Sequence, residues 1–93
     1  MTKTLSTEVK IQNVRGLHAR ATANFVKVAD TFHSEIYVTN KDGLRVSGKS
    51  IMGLLMLGAP LGSTLTVEAI GTDADKALKS LTELVDGKFG ETV

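Results

Sequence analysis

A histidine and an arginine two positions apart form the most chemically suggestive part of the chain. His18 and Arg20 lie in Gly16-Leu17-His18-Ala19-Arg20-Ala21, where an alternating apolar pattern gives way to helical spacing. We therefore expect His18 at the cap of a helix N-terminus, where backbone N–H groups lack partners and carry partial positive charge. Such a position favours an anion, and a neutral imidazole is a nucleophile. The pair predicts a site for a phosphoryl group.

A serine introduces the second segment of interest. Ser50 precedes a short apolar run over residues 51–57, and serine is a favoured residue at helix N-caps. The run is apolar on nearly every side, so a helix there cannot bury all of it in one core. We expect Ile51, Met52 and Leu55 to form an exposed apolar patch.

Hydrophobic periodicity predicts the elements that position these residues. Alternation predicts strands at about 5–12, 35–39, 44–47 and 64–70, and helical spacing predicts helices at 19–30, 51–57 and from 74 until a glycine at position 87. The pair Asp42-Gly43 is typical of a hairpin turn. Because each strand has one apolar face, we predict an α+β open-faced sandwich, with a mostly antiparallel four-stranded sheet and three helices on one face in the order βαββαβα.

The start of the last helix and the residues that follow it lead to two further predictions. Thr72 and Asp75 have the spacing of a capping box at its start. Residues 88–93, beyond Gly87, are expected to form a frayed tail. We predict a single domain over residues 1–93 with a core at about 6–86.

Composition excludes several classes of function. The 93 residues carry a net charge of only +1, so we expect no nucleic-acid partner. The chain contains no cysteine and two isolated histidines, which argues against disulfides, metal sites and bound cofactors. Neither a signal peptide nor a membrane span is evident, and we expect a monomer in the cytoplasm.

Two segments resemble a known family. Gly16-Leu17-His18-Ala19-Arg20 resembles the active-site motif of HPr, the histidine-containing phosphocarriers of the bacterial phosphoenolpyruvate-dependent phosphotransferase system, and Lys49-Ser50-Ile51-Met52-Gly53 resembles its regulatory serine motif. The likeness covers about residues 6–86. It implies a carrier, not an enzyme, in which His18 takes a phosphoryl group on Nδ1 from enzyme I and passes it to an enzyme IIA-type protein. Arg20 would hold the phosphate.

The resemblance also implies regulation and docking. Ser50 would be a target of an HPr kinase, and partners would dock on the patch together with Ala19, Ala23 and Lys27 of the first helix. Family members typically have proline where this chain has Ala21, which should loosen the start of that helix slightly. His33 has no comparable motif and is interpreted as structural.

Two alternatives remain open from the sequence. The chain could belong to the sugar-transport branch or to the nitrogen-related regulatory branch, toward which Leu54-Leu55-Met56-Leu57 leans. A function of another class is a binding module without phosphorylation, which would regulate partner proteins through its apolar patch. The presence of both His18 and Arg20 argues against that alternative.

Overall fold

The computed structural model describes residues 2–93 and shows a sheet with helices packed against it. In chain order its elements are β1 (Lys3–Lys10), α1 (Ala19–Ala29), β2 (Glu35–Thr39), β3 (Arg45–Ser47), α2 (Ile51–Met56), β4 (Thr64–Gly71) and α3 (Ala74–Asp86). A 3-10 turn, Lys88–Gly90, follows α3. The predicted order of strands and helices is confirmed. Within residues 2–93, no helix is long and apolar enough to cross a membrane.

The sheet has the strand order β1-β4-β2-β3, and every neighbouring pair is antiparallel. The register sets Val9 beside Leu65 and Val38 beside Val67, and all four side chains are buried beneath the helices. On the opposite face, Glu8 is exposed. The alternation in the sequence therefore corresponds to one covered and one open face, as predicted.

The hairpin between β2 and β3 forms where the sequence predicts it. Gly43 has a φ of +88°, and its N–H donates to the carbonyl of Asn40 at 3.0 Å. The side-chain oxygen of Asn40 accepts the N–H groups of Asp42 at 3.0 Å and Leu44 at 2.9 Å. Two residues therefore close the loop. The glycine adopts the left-handed conformation without steric cost, and the asparagine side chain accepts hydrogen bonds from the N–H groups of the turn.

The apolar stripes of the two long helices fill the core. Phe25 and Ala29 of α1 and Leu81 and Val85 of α3 are almost fully buried. Helix α1 contacts α2 and α3, and α3 lies over β1 and β4. Gly48 joins β3 to α2 at a close approach, because a Cβ there would lie 2.4 Å from a side-chain carbon of Ile36.

The predicted bounds of β1 and the predicted cap of α3 differ from the structure. Strand β1 ends at Lys10, although Ile11 remains buried and pairs with the loop before β4 through its N–H and carbonyl. The predicted capping box is wrong, because the N-cap of α3 is Asp73 and not Thr72. The Asp73 carboxylate accepts hydrogen bonds from His33 and Ser34, so it ties two loops together.

The predicted frayed tail is also wrong. Residues 88–90 form the 3-10 turn, and Phe89 is only 3% exposed. The side-chain amide of Asn24 donates to the Phe89 carbonyl at 3.2 Å, and the N–H of Val14 donates to the carbonyl of Val93 at 3.2 Å. Gly87 ends α3 as predicted, but the residues after it do not fray, because the burial of the Phe89 ring fixes the chain that follows.

Candidate functional site

His18 lies at the N-cap of α1, as the sequence predicts. Its backbone is extended, with φ −87° and ψ −178°, and its carbonyl accepts the N–H of Thr22 at 2.9 Å, the first helical hydrogen bond. The preceding turn is held by Leu17, whose N–H donates to the carbonyl of Ala59 at 2.8 Å. Ala21, at the position where members of the resembled family typically have proline, is the third helical residue and is fully buried.

The imidazole of His18 is turned toward the C-terminal end of the chain. Its Nε2 forms a hydrogen bond with Oε2 of Glu91, and the two side chains are 24% and 14% exposed. The other carboxylate oxygen, Oε1, accepts the side-chain amide of Asn13 at 3.0 Å. Glu91 therefore joins the loop before α1 to the last residues of the chain, and Nδ1 is the ring nitrogen that this carboxylate does not contact.

The network keeps Glu91 ionised. The hydrogen bonds from His18 and then from Asn13 lower the pKa of the Glu91 carboxyl below its ordinary value, and this outweighs the opposing effect of burial. Arg15 adds a smaller favourable electrostatic contribution. The carboxylate is thus a permanent acceptor beside the imidazole at neutral pH.

A cavity with two arginines in its lining adjoins this network. It has a volume of about 420 Å³ and is lined by Arg15, Arg20, Asn24 and residues 89–93, which include Glu91. Both arginines are exposed, and guanidinium groups suit bidentate contact with phosphate oxygens. The cavity offers space and charge for an anion at the N-terminal end of α1.

Ser50 occupies the predicted cap of α2. Its Oγ accepts the N–H of Gly53 at 3.0 Å, and the residue is half-buried. In α2 and α1, the residues predicted for partner docking are all exposed: Ile51, Met52, Leu55, Ala19, Ala23 and Lys27. Leu54 is the one buried residue of α2. Met56 is 68% exposed and extends the apolar patch.

His33 lies apart from this network. It is exposed, and its backbone N–H donates to Asp73 at 2.9 Å.

Sequence reasoning missed Asn13 and Glu91. Asn13 carries a readable signal, because it continues the inward-facing series of Val9 and Ile11 with a polar side chain, and it is fully buried. Its amide also donates to the carbonyl of Gly16 at 2.8 Å. Glu91 carries no such signal, because 73 residues separate it from His18. Phe89, an aromatic residue in the predicted tail, is the only local sign that this end is packed.

A histidine at a helix N-terminus beside an arginine-lined cavity defines a small α+β protein of the phosphoryl-carrier class. The sequence matches the family model described as "PTS HPr component phosphorylation site" over residues 5–86. The chain belongs to the HPr family. It is a phosphocarrier of the phosphotransferase system, a relay protein and not an enzyme.

Curated relatives and solved structures agree with this assignment. The phosphocarrier protein HPr of Neisseria meningitidis serogroup A is 47% identical over 87 residues, which cover 94% of this chain and 97% of that protein. The phosphocarrier protein NPr of Shewanella violacea is 43% identical over 98% of both chains. A crystal structure of HPr from Thermoanaerobacter tengcongensis superimposes with a TM-score of 0.90 at 42% identity, covering 96% of this chain and 99% of that one.

Proposed function

We propose that His18 is the phosphorylated residue of this carrier, which accepts the group from phosphorylated enzyme I and passes it to a histidine of an enzyme IIA-type protein. The observation that carries the proposal is the placement of a half-buried imidazole at the N-cap of α1, next to the cavity lined by Arg15 and Arg20. We place the relay in the cytoplasm on the strength of the family resemblance.

The transfer is a displacement at phosphorus. A lone pair of the His18 ring attacks the phosphorus atom of the donor phosphohistidine, a new N–P bond forms, and the donor's N–P bond breaks with its electron pair returning to the donor ring. The reverse event at the acceptor regenerates free His18. We propose Nδ1 as the attacking atom, because Glu91 engages Nε2.

Arg20 and, more weakly, Arg15 would hold the phosphoryl group between the two transfers. Both guanidinium groups line the cavity and are exposed, so their attraction for an anion is moderated by water. A carrier needs this moderation, because a group bound too tightly in the intermediate state would not be handed on.

Incubation with phosphoenolpyruvate and enzyme I tests the assignment. We expect the protein to acquire an acid-labile, base-stable phosphate, and His18→Ala to acquire none. His33→Ala is the matched control, because it removes the other histidine and should leave labelling unchanged. A His18→Ala protein that still takes up the label would overturn the proposal.

The acceptor is proposed to be an enzyme IIA-type protein of either the sugar-transport or the nitrogen-related branch. Relatives named HPr and NPr resemble the chain to a similar degree, at 47% and 43% identity. Offering the phosphorylated carrier a sugar-specific and a nitrogen-related enzyme IIA together, and following which one gains the label, assigns the branch.

We further propose that Ser50 is a regulatory site for an HPr kinase and that the exposed patch on α2 docks partners. A phosphate on Ser50 would lie at a helix N-terminus, where it is stabilised, and next to Ile51 and Met52. It would place about two negative charges at the edge of the apolar patch.

A further inference from the structure

The last three residues of the chain take part in the site through a carboxylate that is held in place from several directions. Glu91 follows a turn in which both Lys88 and Phe89 adopt left-handed backbone conformations, with φ of 59° and 56°. Such conformations cost roughly 1 kcal/mol or more each for residues other than glycine. The burial of Phe89 and its hydrogen bond to Asn24 stabilise the turn against that cost.

Both oxygens of this carboxylate have a defined partner. Oε1 accepts from Asn13 and Oε2 contacts Nε2 of His18. Asn13 is itself fully buried and fixed by a second bond, from its amide to the Gly16 carbonyl at 2.8 Å. Its own oxygen has no hydrogen-bond partner among the described residues, so the amide orientation that serves Glu91 leaves one buried acceptor unsatisfied.

We propose that Glu91 is a positioning residue for phosphoryl transfer, which fixes the tautomer and the orientation of the His18 ring and is itself held by Asn13. The inference rests on the proposed role of His18. A carboxylate can only accept a hydrogen bond, so in the neutral ring the proton must lie on Nε2 and the lone pair on Nδ1.

The same contact acts during the transfer. As Nδ1 forms its bond to phosphorus, the imidazole gains positive charge, and the proton on Nε2 stays there, hydrogen-bonded to the Glu91 carboxylate. A negative group fixed beside the ring stabilises that charge without having to reorganise. The electron pair of the broken bond returns to the donor ring.

Three variants and two measurements test the role. The initial rate of His18 labelling by enzyme I is expected to fall about tenfold in Glu91→Gln and at least as much in Glu91→Ala. A loss of about this size is seen when a metal-bound histidine loses the hydrogen-bond partner of its other ring nitrogen. Glu83→Gln, an exposed change of the same charge in α3, should keep the wild-type rate.

The second measurement separates positioning from folding. The ¹⁵N spectrum of the neutral His18 ring should show Nε2 protonated in the wild type, and Glu91→Ala should shift both ring resonances toward a mixture of tautomers. If both Glu91 variants keep the wild-type labelling rate and the wild-type ¹⁵N shifts of the His18 ring, the inference about Glu91 is overturned, while the proposed role of His18 stands. Loss of label from the wild type itself would instead overturn the proposed function.

Discussion

At the scale of single residues, the candidate site depends on the close backbone packing of the turn that precedes His18. Gly16 has a φ of +67°, and its N–H donates to the carbonyl of Asn13 at 3.1 Å. A Cβ at this position would lie 2.6 Å from the carbonyl oxygen of Ala59 and 2.8 Å from Cα of Pro60. Only glycine allows the loop after α2 to support the turn that presents His18.

Replacement of Gly16 by alanine should therefore destabilise the protein and displace His18. We expect a loss of about 2–4 kcal/mol in the free energy of unfolding, from left-handed strain together with overpacking against backbone that cannot move away. Urea unfolding measures this loss, and the labelling rate of His18 should fall as well.

Gly58→Ala is the matched control for this change. Gly58 also has a left-handed φ, of +57°, but a Cβ there would meet nothing within 4 Å. The Gly58→Ala substitution should lower the free energy of unfolding by only about 1 kcal/mol. Equal losses in the two variants would show that strain alone, and not contact with Ala59, makes Gly16 necessary.

At the scale of elements, the fold is joined by polar contacts between segments distant in sequence. Asp73 precedes α3, and its carboxylate accepts the N–H groups of His33 and Ser34 at 2.9 Å as well as the hydroxyl of Ser34. Ser34 is fully buried beneath Gly71. These bonds, first that from the Ser34 hydroxyl and then that from the His33 N–H, lower the pKa of Asp73 from its ordinary 3.8 to about 2.

This shift predicts how stability depends on pH. Because the pKa is lower in the folded than in the unfolded protein, the contribution of Asp73 is complete above about pH 4 and is lost as the pH falls toward about 2. Asp73→Asn should lower the Tm at pH 7 by roughly 5 °C. The difference between the two proteins should shrink between pH 4 and pH 2 in circular-dichroism melts.

Asp75→Asn controls for a carboxylate in the same region. Asp75 is exposed, and its carboxylate contacts the Lys3 ammonium at 4.0 Å and accepts the neighbouring N–H of Lys76 at 3.0 Å, so its replacement should leave the Tm nearly unchanged. A gap between wild type and Asp73→Asn that stays constant down to pH 2 would contradict the role given to the Asp73 charge.

At the scale of the whole molecule, the candidate site and the exposed apolar patch lie on neighbouring helices. Helix α1 starts at the site and contacts α2, where Ile51 and Met52 are 42% and 70% exposed. A partner that reaches His18 across this surface would bury apolar area, and a charge at the cap of α2 would oppose that burial.

Ser50→Asp should therefore weaken docking of enzyme I without unfolding α2. Aspartate is as good an N-cap as serine, so the helix should persist, while the added charge raises the KM of enzyme I for the carrier roughly fivefold, equivalent to about 1 kcal/mol. Initial labelling rates at a series of carrier concentrations measure the effect.

Ser50→Asn serves as the control, because asparagine caps a helix equally well and carries no charge. It should keep the wild-type KM. If both variants raise the KM alike, the effect comes from the cap and not from charge, and the proposed regulation fails.

The sequence by itself determined the elements and most of the site. The order of strands and helices, the hairpin at Asp42-Gly43, the cap at Ser50 and the place of His18 at the start of α1 follow from local patterns, since turn chemistry, capping and periodicity act over a few residues. The sequence also contains a sign of the role of Asn13, because this polar residue stands at an inward-facing position of the strand pattern.

Only the tertiary structure decided the contacts between distant segments. The bond from Glu91 to His18 spans 73 residues, and the bonds from Asp73 to the loop before β2 span about 40. Nothing local encodes either contact. The first depends on the burial of Phe89, which fixes the end of the chain, and the second on the packing that brings the start of α3 beside the loop before β2. The histidine proposed to carry the phosphoryl group could thus be found in the sequence, but the carboxylate proposed to orient it required the fold.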